Sequence, residues 1–214
     1  MEKHSIEEYD IEVEYKLINS FEENYECNTY IQEVEGDIFL NNNFTYYREK
    51  IGEISLYLLD MKGEYIDGFE YEDMLDGHSM ELTNYVNDFF DLDEGFIKPQ
   101  FSNGDLFDNP DILIIHTVIL NESARKKGFG LRVIKNIEFV FGKDKLIILR
   151  PFPIQFGGVG KDTIEVKKFD LNLLPKNETM MNVYAKKIAK TYSKIGYKKD
   201  KKSDLMFKLN QQIY

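Results

Sequence analysis

One stretch constrains the fold more than any other, and it runs from Asp111 to Gly142. It opens on an apolar run, DILIIHTVIL, passes through a basic turn with two glycines, NESARKKGFG, and closes on LRVIKNIEFVFG. A continuous β-branched run suits a strand buried on both faces, so Asp111 to Leu120 predicts a central strand. Leu131, Ile134 and Ile137 then fall near helical spacing, with Phe139, Val140 and Phe141 beyond them, and Gly142 is placed to stop the helix. Strand, glycine turn, helix is an order that presents backbone N–H groups to an anion. Gly128 and Gly130 lack Cβ atoms, so a bulky ligand could approach the main chain there.

Arg125-x-x-Gly128-x-Gly130, between Val118-Ile119-Leu120 and the helix, resembles the acetyl-CoA signature of the GNAT N-acetyltransferase superfamily, Arg/Gln-x-x-Gly-x-Gly/Ala. The resemblance implies that Arg125 and the amides of Lys126, Lys127, Gly128, Phe129 and Gly130 hold the pyrophosphate of acetyl-CoA. It also implies that the main chain of Val118, Ile119 and Leu120 pairs with the pantetheine arm. A second segment supports it. In residues 178–197, Met181, Tyr184, Ala185, Ile188, Ala189, Tyr192 and Ile195 recur at i, i+3, i+4, i+7, with Gly196 as a cap. Tyr192-Ser193-Lys194-Ile195-Gly196-Tyr197 resembles the Tyr-x-x-Leu-Gly-Phe ending of the same family. There the tyrosine can protonate the departing thiolate, and a phenol suits this because its pKa lies near that of a thiol. Tyr192 belongs equally to the apolar stripe, where packing alone would account for it.

Amine attack on a thioester needs a neutral amine, hence a base. His116 lies in the central strand, where some relatives carry a catalytic glutamate, and imidazole accepts protons near neutral pH. A histidine in an apolar strand also suits a hydrogen-bonded core role. His78 and Glu81 are weaker candidates. Three scattered histidines and the single Cys27 give no metal-site spacing, so no metal is expected. Gly160-Lys161-Asp162 fails as a phosphate loop, because Ser or Thr should follow the lysine and Gln155 stands where the first glycine should be.

Charge divides the chain. Residues 1–111 hold 29 acidic and 6 basic side chains, a balance of −23; residues 112–214 hold 9 and 21, a balance of +12, which together give the net −11. The basic half suits an anionic cofactor, and the acidic half suits a cationic amine, as a small molecule or peptide. Net acidity argues against nucleic acid as the main partner. No run approaches the ~18 apolar residues of a membrane span. The acidic N-terminus lacks a signal core, and Cys27 has no disulfide partner, so a cytoplasmic location is expected.

The remaining segments read as a strand or first helical turn over 5–16, a strand over 28–34, a turn at Gly36-Asp37, and strands over 44–48 and 51–59, forming an antiparallel meander. Helical character appears over 71–91, with loop to Pro110. KLIIL at 145–149 predicts another buried strand, and Leu205, Phe207 and Leu209 a closing one. The expected architecture is a single α/β domain over 1–214. It has a mixed, twisted, GNAT-like sheet flanked by helices, an acidic helical and loop insertion over 62–110, and a cofactor-binding core over 111–209. The implied activity is acetyl transfer from acetyl-CoA to a primary amine. The alternative is a GNAT-like binding or interaction module without turnover.

Overall fold

The computed structural model describes residues 9–18, 30–42, 45–61, 80–91, 94–102, 110–153 and 177–210. His4, Cys27, His78, the segment holding Gly160-Lys161-Asp162 and the Glu81 side chain lie outside the described residues. In chain order the elements are β1 (Tyr9–Ile18), β2 (Ile31–Asn42), β3 (Tyr47–Leu59), α1 (Met80–Phe89), β4 (Phe90–Asp91), β5 (Phe96–Ile97), β6 (Ile112–Leu120), α2 (Phe129–Phe141), β7 (Leu146–Leu149), α3 (Glu178–Ser193), β8 (Lys198–Lys199) and β9 (Met206–Leu209). A 3-10 turn, Glu122–Ala124, joins β6 to α2.

The fold is mixed α/β. One seven-stranded sheet runs β1-β2-β3-β6-β7-β9-β8, and β4 pairs with β5 in a separate small hairpin. Every neighbouring pair in the large sheet is antiparallel except β6 and β7. That one parallel pair requires a crossover, and α2 supplies it. Central position explains the apolar run of β6: Ile112, Leu113, Ile114 and Ile115 are all buried.

Each sheet face has its own core. On one face Leu82, Tyr85, Val86 and Phe89 of α1 meet Tyr57, Leu59, Ile112 and Ile114. On the other, Phe129, Val133, Ile134 and Ile137 of α2 meet Val34, Ile54, Leu56, Leu113 and Ile115. Burying each such α2 side chain contributes about 1.5–3 kcal/mol before conformational entropy is subtracted. Phe139 and Val140 are exposed on the outer side of α2, whereas the stripe continues from Ile137 to Phe141, which meets Tyr15 edge-on at 4.8 Å. Ile97 and Phe101 join the α1 core, so the described part of 62–110 covers a sheet face.

Gly36-Asp37 is not a turn; both residues lie inside β2. A Cβ at Gly36 would stand 2.9 Å from Glu14 O and from Ile54 Cγ1, so glycine is there for close packing. The strand readings over 44–48 and 51–59 merge into the single β3. This strand carries an extra residue at Ile51, since Ile38 pairs with Gly52 and Phe39 with Lys50.

Candidate functional site

The open edge of β6 is the centre of the site. Ile112 to Ile115 pair with Leu146 to Leu149, and among the described residues β6 has no β7 partner beyond Ile115. The sequence after β7 accounts for this. Pro151 and Pro153 have no N–H to give, so the ladder cannot continue through them. On its other side β6 remains paired with β3, through a bulge. Ser55 faces Thr117 and Leu56 faces Ile115, which leaves His116 as the extra residue. The bulge shifts the alternation: Leu113 and Ile115 join the α2 core before it, Val118 and Leu120 after it.

Main-chain direction follows from the pairing. Asn121 N–H donates to Ile51 O at 2.7 Å, so the groups of Ile119, two residues earlier, also point to β3. Those of Val118 and Leu120 therefore point to the open edge. Arg125 Nε donates to Leu120 O at 2.8 Å, which uses that carbonyl and folds the guanidinium over the strand end. Among the described residues, Val118 N–H, Val118 C=O and Leu120 N–H have no partner and can serve a ligand, whereas Ile119 serves the sheet.

Next comes the loop. Ala124 N–H donates to Asn121 O at 3.0 Å and Arg125 N–H to Glu122 O at 3.2 Å. Lys126 takes φ 61° and Gly128 φ 81°, both left-handed. Gly128 is the N-cap of α2, which has no side-chain cap and no acid in its first turn. The first helical bond runs from Arg132 N–H to Gly128 O at 3.3 Å, so the amides of Phe129, Gly130 and Leu131 have no intrahelical acceptor. Burial lowers the pKa of the Arg125 guanidinium, and its Nη2 is buried without a hydrogen-bond partner among the described residues. Spare amides, a helix N-terminus and an unsatisfied guanidinium donor fit a diphosphate.

Beside the loop lies a cleft of about 520 Å³, lined by Leu40, Ile51, Ala124 and Phe129 together with Glu49 and Lys127. Its walls come from β1, β2, β3, the loop and the start of α2, and none comes from β6.

His116 and Tyr192 stand on opposite sheet faces. The His116 ring lies 5.5 Å from Tyr57 and 5.9 Å, edge-on, from Tyr85, with the α1 core. Tyr192 is half-buried with the α2 core, 6.1 Å from Tyr197. Burial pushes the Tyr192 hydroxyl up to about 12. At neutral pH it is a retained hydrogen-bond donor, further from thiol acidity than a solvated phenol. Tyr197 is pushed up further, by burial and then by Glu138, whose carboxylate accepts from Lys208 Nζ at 2.7 Å. The Tyr192 carbonyl accepts the N–H of Ile195 at 3.0 Å, and Gly196 turns left-handed at φ 99°, which fixes the end of α3.

Three neighbours of the site were not singled out in the sequence. Tyr57 and Tyr85 flank His116. Arg150 follows β7; its Nη2 donates to Asp88 of α1 at 2.8 Å, its Nε to Asp204 at 2.7 Å, and its guanidinium sits 4.6 Å over the Tyr85 ring. The only local signal was the string Arg150-Pro151-Phe152-Pro153, where two prolines follow a buried strand. On the meander, Arg48 pairs with Glu12 and Glu14 and Lys50 with Asp37 and Glu53, so part of the acidic half is neutralised internally.

No protein-family model, curated protein or solved structure matches this chain. Among the described residues, no helix is long and apolar enough to cross a membrane.

Proposed function

We propose that this chain is a GNAT-like N-acetyltransferase that moves an acetyl group from acetyl-CoA to a primary amine. The observation that carries the reading is the open edge of β6, where the Val118 and Leu120 main chain leads to the spare amides of the α2 N-terminus. Few arrangements other than a strand-like ligand with an anionic end use both features.

Acetyl-CoA would supply the acetyl group as a thioester. Phe129 to Leu131 amides, Lys126, Lys127 and Arg125 hold the pyrophosphate, and Val118 and Leu120 orient the pantetheine arm along the edge. A spare edge N–H stabilises the oxyanion that develops when the amine attacks the carbonyl. His116 takes the amine proton from the α1 face. Tyr192 donates a hydrogen bond to the departing sulfur from the α3 face. The acceptor is expected to be cationic, given the acidic first half of the chain.

Calorimetric titration with acetyl-CoA tests the reading, followed by thiol release against a panel of amines and basic peptides. Micromolar binding with amine-dependent thiol release is the expected result. Failure of the intact protein to bind acetyl-CoA would overturn the proposal.

A further inference from the structure

We propose that the exposed side of α3 and the turn after it form a docking face for the phosphate backbone of a nucleic acid. Lys186 and Lys190 of α3 and its C-cap Lys194 follow at four-residue spacing, and each is exposed. On a helix that spacing advances about 6 Å per step, so the ammonium groups form one line. Lys198, Lys199, Lys201 and Lys202 extend it beyond the helix and are exposed as well. None of these lysines has an ion pair among the described residues.

Neither nearby acid forms an ion pair with the line, and seven lysines outnumber them. Asp200 is buried, and its Oδ2 accepts the N–H of Lys202 at 3.1 Å, the N–H of Ser203 at 2.7 Å and the Ser203 hydroxyl at 2.8 Å. Asp204 is engaged by Arg150. The turn thus directs its lysines outward and its buried carboxylate inward.

Three physical arguments select the partner. Protein–protein interfaces are depleted in lysine and rely on aromatic or arginine anchors, whereas nucleic-acid interfaces are strongly positive. Membrane-surface helices direct a continuous apolar face into lipid, but Ala189, Tyr192 and Ile195 of this segment are turned to the sheet core, and its exposed Met180 and Val183 lie only in the first turns of α3. The chain's net −11 does not forbid the contact, since its acids are concentrated in residues 1–111. A phosphate at α3 responds mainly to charges within the roughly 8–10 Å screening length. Lysines as flexible point charges predict backbone contact without sequence preference.

The test is fluorescence anisotropy with a labelled single-stranded RNA and a labelled DNA duplex. Lys190→Glu is compared with Lys16→Glu, which makes the same charge change at an exposed position on β1, across the sheet from β8. Binding should be detectable at about 50 mM salt and weaken at least tenfold by about 200 mM. Lys190→Glu should weaken binding about threefold or more, and reversing Lys186, Lys190 and Lys194 together at least tenfold with the salt slope lowered by about 2 to 3, while Lys16→Glu leaves affinity and slope nearly unchanged. Circular dichroism checks that each variant is folded, and lysine-to-glutamine versions replace any that is not. No binding to either nucleic acid overturns the proposal. So does equal loss in Lys16→Glu, or binding only to phosphatidylserine vesicles run alongside. The result does not depend on acetyltransferase activity.

Discussion

Gly128 and Gly130 occupy adjacent positions in one motif, yet their replacement should have opposite consequences. Gly128 sits at φ 81°, and a Cβ there would meet nothing within 4 Å. The cost of Gly128→Ala is therefore backbone strain, about 1–2 kcal/mol for a left-handed L-residue, partly offset by a less flexible unfolded chain. Its amide survives, so acetyl-CoA affinity should change little. Gly130 is helical with no positive φ, and its Cβ would stand 3.7 Å from Leu120 Cδ1, an ordinary contact directed at the open end of β6. Gly130→Asp replaces a helix-weakening residue and places an acid in a first turn that has none, which should stabilise α2 by roughly 0.5–1 kcal/mol. The same carboxylate enters the first turn whose amides are proposed to hold the diphosphate. Two like charges at about 5 Å, with an effective dielectric near 40, cost about 1.7 kcal/mol, or roughly 15- to 20-fold in affinity. The assay is paired: thermal unfolding and calorimetric titration with acetyl-CoA on both variants. Gly128→Ala should melt about 2–4 °C lower and bind as the parent does, while Gly130→Asp should melt at or above the parent and bind roughly 15- to 20-fold more weakly. Unimpaired binding by Gly130→Asp would refute the amide cradle. An unchanged melting temperature in Gly128→Ala would refute the strain argument.

Gly52→Ala should cost more than about 3 kcal/mol in urea unfolding, because its Cβ would stand 2.2 Å from Ile119 O, a backbone atom that cannot move alone; a loss under ~1 kcal/mol would contradict the register of β3 on β6. Arg150→Met leaves two partly solvated carboxylates without their cation and should cost about 1–3 kcal/mol, while shifting the His116 ring-proton resonances through Tyr85; unchanged resonances would disconnect Arg150 from the site. Burial raises the Tyr192 pKa to about 12, above the unfolded value near 10. The unfolded chain therefore loses this proton first, so the stability is fully present below about pH 10 and falls as pH rises toward 12. Urea unfolding across that range should show a shallower decline in Tyr192→Phe, and an identical decline would remove the assignment.

Local patterns in the sequence were sufficient for much of this fold. The apolar run of β6, the helical spacing of α2 and the stripe of α3 each depend on residues close in the chain, and each appears where it was expected. Features decided by distant contacts were not legible. Gly36 resembles a turn residue until Glu14 and Ile54 are brought against it. Phe139 and Val140 look like core until the helix turns them to solvent, while Phe141 beyond them packs against Tyr15 of β1. β8 has only two residues, too few for any periodicity.

The candidate site divides along the same line. Its loop was visible because a left-handed turn before a helix demands particular residues at particular positions, and Gly128 meets that demand. Its opening was not, because a bulge is a property of two strands. Nothing in DILIIHTVIL distinguishes His116 from a residue in register; only the pairing of Ser55 with Thr117 and Leu56 with Ile115 does so. The bulge has a consequence for the chemistry proposed here. His116 keeps the face of Ile112 and Ile114, with Tyr57 and Tyr85, and the shift in alternation turns Val118 and Leu120 to α2 on the other face. An acceptor reaching His116 and a cofactor lying against α2 would then approach the same strand edge from opposite sides. They could meet only beyond Ile115, where β7 has left β6, so the two prolines that end the ladder are as necessary to the site as the side chains within it.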